Sequence, residues 1–245
     1  MPTRIVFPHE EGRLVVPCPD PGLAETVAQE LAGAGVLQYY ECEGRLVPYT
    51  LTSGLQSPCY PDHRVLLMHP TERRSVIAGL ARLVQTNEAE FDCIVGVETA
   101  GIPFGVLLAE TLGKPFCFVR KTRKTHGRGR WVECVDPTTD QLGRVLVFDE
   151  VFSTGGTMIR AVEVIRNELL ARVELAVAIT SNELFPSADN FSRHSIRPLV
   201  ITNLSYIAKA AYHLGLLSSI QALDIIAFLR DPVGWTQRAD RSTAR

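Results

Sequence analysis

From residue 71 onward the apolar positions switch repeatedly between two spacings. Val76, Leu80, Leu83 and Val84 share one helical face within 71–87, whereas 93–97 is a short uninterrupted apolar run. Helical spacing returns over 102–112 and is stopped by Gly113, and 115–119 is again short and apolar. An apolar run then occupies 145–148, Met158, Val162, Ile165 and Leu169 follow at spacings of four, three and four, and a further run fills 173–179. Short apolar runs alternating with helix-period segments predict strands joined by crossover helices, and so an α/β fold whose parallel sheet is covered on both faces. Upstream, 21–35 carries Leu23, Val27 and Leu31 at helical spacing and closes on Gly33 and Gly35, which predicts a helix. Residues 37–68 mix Tyr, Val and Leu with turn formers and predict short strands. Helices are expected near 205–214 and 220–229, with a frayed polar tail after them.

In an open parallel sheet the ligand lies beyond the carboxyl ends of the strands. Four segments fall at such ends: 98–101, Arg120 with Lys121, 149–156, and 180–183. The richest is Val145-Leu-Val-Phe-Asp-Glu-Val-Phe-Ser-Thr-Gly-Gly-Thr157, a buried run that ends in an acidic pair, then a Ser/Thr/Gly turn, then a helix. Ser153, Thr154, Gly155, Gly156 and Thr157 suit a phosphate, because backbone N–H groups at a helix start point at an anion and the glycines permit close approach and positive φ. Asp149 and Glu150 would repel that phosphate unless they bind something else, and vicinal ribose hydroxyls are natural donors to carboxylates. The plainer alternative is a strand end and an ordinary turn before a capped helix. The segment is neither a Walker loop nor a dinucleotide fingerprint, since both spacings are absent.

Between the strands at 115–119 and 145–148, residues 120–130 hold six Arg or Lys with His126 and two glycines, and no acid. Such a run repels itself until an anion neutralises it, which suits a lid over an anionic ligand; a solvated surface loop is the alternative. Thr99, Ala100 and Gly101 offer backbone N–H groups to the same anion, or form a tight strand-to-helix turn with Pro103 in the first helical turn.

Composition narrows the partners. With 245 residues, a 46% hydrophobic and 21% charged content and a net charge of −2, the chain has the make-up of one globular α/β domain with a small appendage. That charge gives no electrostatic case for nucleic acid or an anionic membrane. Six scattered cysteines lack zinc-ligand spacing and suit a reducing compartment, and no stretch reads as a signal peptide or membrane span, so a cytoplasmic location is expected. No side chain is assigned as a metal ligand, and His9, His63, His69, His194 and His213 are expected to be surface or structural.

Asp149-Glu-Val-Phe-Ser-Thr-Gly-Gly-Thr157 resembles the phosphoribosyl pyrophosphate (PRPP) signature of type I phosphoribosyltransferases. Arg120-Lys-Thr-Arg-Lys-Thr-His-Gly127 resembles the catalytic loop of the orotate enzymes of that family. Tyr49-Thr-Leu-Thr-Ser-Gly-Leu-Gln-Ser-Pro58 resembles their N-terminal element, and Val95-Gly-Val-Glu-Thr-Ala-Gly-Ile-Pro103 their pyrophosphate loop. The resemblance implies the type I phosphoribosyltransferase fold, with an N-terminal helix and hood over the acceptor (1–70), a PRPP-binding core (71–200) and a C-terminal helical extension (201–245). It also implies a Mg²⁺-dependent enzyme that transfers the phosphoribosyl group of PRPP to orotate or a related heteroaromatic base, in a homodimer whose lid reaches across subunits. Lys124, His126, Asp149 and Glu150 would be catalytic. Thr99 to Gly101, Arg120, Lys121, Lys124, His126 and the stretch Asp149, Glu150, Val151, Phe152 and Ser153 to Thr157 would hold PRPP.

Acceptor binding is expected of Gln56, Tyr60, Phe152 and Asn182, with Phe152 or Tyr60 stacking on the base. Here the chain departs from the orotate pattern. Leu55-Gln56 stands where a basic residue is usual, and Ile179-Thr-Ser-Asn-Glu183 where Asp-Arg is usual. Two alternatives therefore stay open: a non-catalytic PRPP-binding regulator, and a transferase for a purine or specialised heterocycle.

Overall fold

The computed structural model describes residues 5–39, 41–42, 45–123, 130–135 and 142–243. Helix α1 (Pro21–Gly33) starts with Pro21 at its first position and with Asp20 Oδ1 accepting from the Leu23 N–H at 3.0 Å, the chemistry that satisfies orphan donors at a helix start. The expected strand region at 37–68 is made of very short pieces: β1 (Leu37–Tyr39), β2 (Glu41–Cys42), β3 (Arg45–Leu46), β4 (Tyr49–Thr50), β5 (Gln56–Ser57) and β6 (Cys59–Pro61). They pair antiparallel as β1 with β6, β2 with β3 and β4 with β5. The end of this region is a 3₁₀-helix, His63–Met68, opened by Asp62 Oδ1 accepting from the Arg64 N–H, and not a strand.

Helix α2 (Pro70–Thr86) leads into β7 (Cys93–Val97), α3 (Gly101–Leu112), β8 (Phe116–Val119), β9 (Val132–Glu133), β10 (Arg144–Phe152), α4 (Gly156–Leu169), β11 (Arg172–Ser181), α5 (Pro186–Arg193) and β12 (Arg197–Asn203). The sheet order is β12-β11-β10-β7-β8-β9, parallel throughout except for β9 against β8. Every residue of β7 is buried, as the uninterrupted apolar run requires of a central parallel strand. Helices α6 (Leu204–His213), α7 (Ser219–Arg230) and α8 (Pro232–Thr243) complete the chain.

Besides the two-residue β9, which the sequence does not predict, three elements differ from the sequence expectation. β12 carries no plain strand signal because Arg197 and Pro198 precede its apolar run and Thr202 and Asn203 close it; as an edge strand it tolerates a proline near its start. α5 went unrecognised because only Ser187 and Phe191 among its residues are buried. The tail does not fray where expected but forms α8, which buries Trp235 and Ala239.

One large core joins α1, α2, the central sheet and α6, while Leu51, Leu184, Phe228, Trp235 and Ala239 form a second, separate cluster. No helix among the described residues is long and apolar enough to cross a membrane.

Candidate active site

The acidic pair rides on the strand itself. β10 continues past 148 because its backbone keeps pairing with β11 as far as Phe152 opposite Ser181. Asp149 is 8% exposed, and its Oδ1 accepts from the Glu150 N–H at 2.9 Å. Burial raises the Asp149 carboxyl well above the carboxylate range, and the neighbouring Glu150 adds to the rise while Lys121 opposes it. Two adjacent carboxyl groups of this kind present several acceptor oxygens to vicinal ligand hydroxyls.

Beyond Phe152 the chain turns through Ser153 and Thr154 into Gly155, whose φ of 81° is left-handed and costs an L-side chain about 1–2 kcal/mol. Asn190 Nδ2 donates to Thr154 O at 2.7 Å and fixes the turn from behind. The first turn of α4 therefore aims free backbone N–H groups outward, an anion site by geometry. Gly101 is needed for a different reason. A Cβ there would lie 2.8 Å from Phe148 O, so only glycine lets α3 begin against the acidic end of β10.

These parts line a cleft of about 450 Å³. The 153–157 turn, Asp149 and Glu150 line it together with Tyr60, Asn182 and residues 50–53. Tyr60 is half-buried beside Tyr49, ring centroids 5.7 Å apart, and burial raises its hydroxyl pKa. Asn182 is 5% exposed, and its Oδ1 lacks a hydrogen-bond partner among the described residues. Thr52, Lys121, Thr157 and Arg160 also border a neighbouring hollow that includes Arg120 and Trp131. A larger cavity of about 1000 Å³ lies at the other end of the strands, but its arginines are already engaged: Arg144 with Glu90 and Asp92, Arg172 with Glu174, Arg197 with Asn87 O.

Residues 66–190 match the phosphoribosyl transferase domain. An orotate phosphoribosyltransferase of Cutibacterium acnes is 33% identical over 77% of this chain and 86% of its own length, and one of Rhizobium meliloti is 33% identical over 88% and 91%. The chain belongs to the phosphoribosyltransferase family. The orotate phosphoribosyltransferase of Aeropyrum pernix superposes with a TM-score of 0.63 at 26% identity, covering 78% of this chain and 99% of that one. The class of chemistry is pentosyl transfer, which disfavours the regulator reading.

In this phosphoribosyltransferase the expected PRPP residues 149–157 all lie along the cleft. Gly101 abuts Asp149, while Thr99 is exposed and Ala100 buried beside it. Arg120 is committed to carboxylates, with Glu98 and Glu133 each 3.6 Å away, and its N–H bonds Trp131 O to close the root of the basic loop. Lys124 and His126 lie outside the described residues. At the acceptor end two expectations change. The Phe152 side chain is 1% exposed and packs on Phe191 at 4.8 Å, so it belongs to the core and cannot stack on a base. Gln56 does not line the cleft; its side-chain amide turns to Thr50 Oγ1 at 3.2 Å across the hairpin.

Residues 50–53, part of the segment that resembles the family's N-terminal element, line the cleft, and so does Arg160, to which the sequence assigns no role. Arg160 had a legible signal, one turn into the helix that follows the phosphate loop. His63 is a core residue: it is 1% exposed, meets Thr180 Oγ1 at 3.0 Å, and burial pushes its imidazole down to about 4, so it is neutral.

Proposed function

We propose that this phosphoribosyltransferase moves the phosphoribosyl group of PRPP onto orotate and releases pyrophosphate. The observation that carries the reading is the unbroken run from the acidic pair Asp149–Glu150 to the left-handed Gly155 and the open N-terminus of α4, lining one cleft with Tyr60 and Asn182. The 5-phosphate binds the turn at 153–157, and the ribose hydroxyls lie on the carboxyl pair. Orotate stacks on Tyr60 within reach of the Asn182 amide.

In the reaction the bond from the anomeric carbon to pyrophosphate breaks with its electron pair leaving on the pyrophosphate oxygen. A ring nitrogen of orotate supplies the pair for the new carbon–nitrogen bond and gives up its proton to solvent. Positive charge builds on the ribose, where the carboxylates beneath it stabilise the transition state, and negative charge on the departing group, where Lys121 and the lid act. Lys124 and His126 close over that group. In the homodimer each lid serves the partner's cleft.

The donor set fits Mg²⁺. Asp149 and Glu150, which line the cleft, offer carboxylate oxygens. Such a set suits an ion held chiefly by substrate oxygens with one or two carboxylates. When bound it neutralises charge on the pyrophosphate.

The test is pyrophosphate release from PRPP and Mg²⁺ with orotate, uracil, adenine and hypoxanthine in parallel. Release at least about tenfold faster with orotate, a transition-state difference of some 1.4 kcal/mol, is the expected result. PRPP binding without release for any base would overturn the reading. Lys124→Ala should lower kcat far more than PRPP affinity, because the lid acts in the transition state; equal losses would reduce that lysine to an anchor.

A further inference from the structure

The acceptor end of the cleft is built from a segment that is unable to hold itself. β4 and β5 are two residues each, and a hairpin of that size is unstable alone in water. Its position is imposed from the C-terminal helices, which lie beyond the matched domain at 66–190. Thr236 on α8 accepts from the Gln56 N–H through Oγ1 at 3.1 Å, and the same hydroxyl reaches Gln56 O at 3.3 Å and Pro232 O at 2.9 Å. The Gln56 N–H is thus held by a side chain of α8, whose single O–H is shared between Pro232 O, the nearer acceptor, and Gln56 O.

Packing repeats the arrangement. Leu51, from the hairpin, and Leu184, two residues past Asn182, are buried together with Phe228 of α7 and Trp235 of α8, and Tyr60 and Leu55 pack against them. The two walls of the acceptor end therefore share one small core with the C-terminal pair. A third tie runs through Asp224 of α7. Its Oδ1 accepts from Trp235 Nε1 at 2.8 Å and its Oδ2 from the Tyr39 hydroxyl at 3.2 Å. Tyr39 belongs to β1, which pairs with β6 at Gln38 opposite Tyr60.

We propose that α7 and α8 are part of the acceptor-binding apparatus, with Thr236 and the Asp224–Trp235 pair acting as positioning residues that set the 49–57 hairpin and Tyr60 over the base. The proposal rests on the functional reading above. None of these residues borders the phosphate end, which is fixed independently by Asn190 and β10. Their loss should therefore act on one substrate and spare the other.

The experiment uses the full chain and compares wild type, Thr236→Val, Thr236→Ser and Trp235→Phe. Thr236→Val keeps the shape and strands the Gln56 N–H. The KM for orotate should rise about tenfold, with kcat within about twofold and PRPP affinity by calorimetry unchanged. Thr236→Ser restores the hydroxyl and should restore the KM. Trp235→Phe, which keeps the packing and removes the donor to Asp224, should raise the same KM about threefold. An unmoved orotate KM, or parallel weakening of orotate and PRPP with a lowered Tm, would overturn the proposal and leave α8 a stabilising tail. Wild-type enzyme that binds PRPP but transfers nothing to orotate is a different failure. It removes the functional reading, and the proposal with it.

Discussion

The two ends of the cleft are made in opposite ways. The phosphate end is one continuous stretch, 149–157, in which a strand, a turn and a helix start succeed one another and each residue's role follows from its neighbours in the chain. The proposed acceptor end gathers Leu51, Tyr60 and Asn182, with Leu184 behind them in a small core shared with Trp235, and contacts to Asp224 and Thr236 tie it to α7 and α8. A local site carries its own geometry, since backbone conformation is set within a few residues. A site gathered from distant segments has only the geometry that packing imposes, and each segment by itself looks ordinary.

The sharpest way to break this contrast is Asp149→Asn with Glu150→Gln. Transfer should fall by about 10²–10³, the usual loss when a charge-stabilising group is removed from a transition state, with the circular dichroism of the fold unchanged. Near-wild-type pyrophosphate release would remove the acidic pair from the mechanism. Next is Gly155→Ala. Its left-handed φ of 81° costs the new side chain about 1–2 kcal/mol, and a turn shifted to relieve that strain should weaken PRPP binding about tenfold by calorimetry. The orotate KM should stay put, and a change there instead would show that the ends are not independent.

Asn182→Ala tests the opposite end. Its orphaned Oδ1 should find its partner on the base, so the orotate KM should rise about fivefold and PRPP affinity hold, on the scale of one neutral hydrogen bond. Loss of PRPP affinity in this variant would contradict the assignment.

Glu183→Gln has the smallest expected effect on turnover and acts on stability. Glu183 is 5% exposed, sits in left-handed backbone at φ 56° directly after Asn182, and neither carboxylate oxygen completes a hydrogen bond among the described residues. Burial raises its carboxyl to about 8, and the Ser205 N–H at the start of α6 opposes the rise only weakly. The folded state therefore keeps a proton that the unfolded chain releases near its ordinary value of 4.5. This contribution is fully present below about 4.5 and is lost as pH rises to about 8, at a slope on the order of 1 kcal/mol per pH unit. His9 and His63, both pushed down to about 4 chiefly by burial, act in the other direction and lose their contribution as pH falls below 6.5. Between pH 6.5 and 8 the Tm should decline in the wild type and flatten in Glu183→Gln. Parallel curves would refute a buried neutral Glu183.

The sequence alone determined the alternating core from α2 to β11, because the switch from helical to strand spacing is a local property that burial on both faces of a parallel sheet makes uniform. It also determined that the acidic pair, the glycines and a helix start stand together at 149–157, because strand, turn and helix follow one another directly in the chain there. Tertiary structure decided the rest. Phe152 lies in an eligible place but packs on Phe191. Gln56 matters through its backbone more than its amide. α8, a polar tail by composition, becomes a brace because Trp235 finds Leu51 and Leu184 to cover. Which face a side chain shows, and which distant backbone a hydroxyl reaches, depend on contacts between segments far apart in the chain, and no window of sequence contains both halves of such a contact.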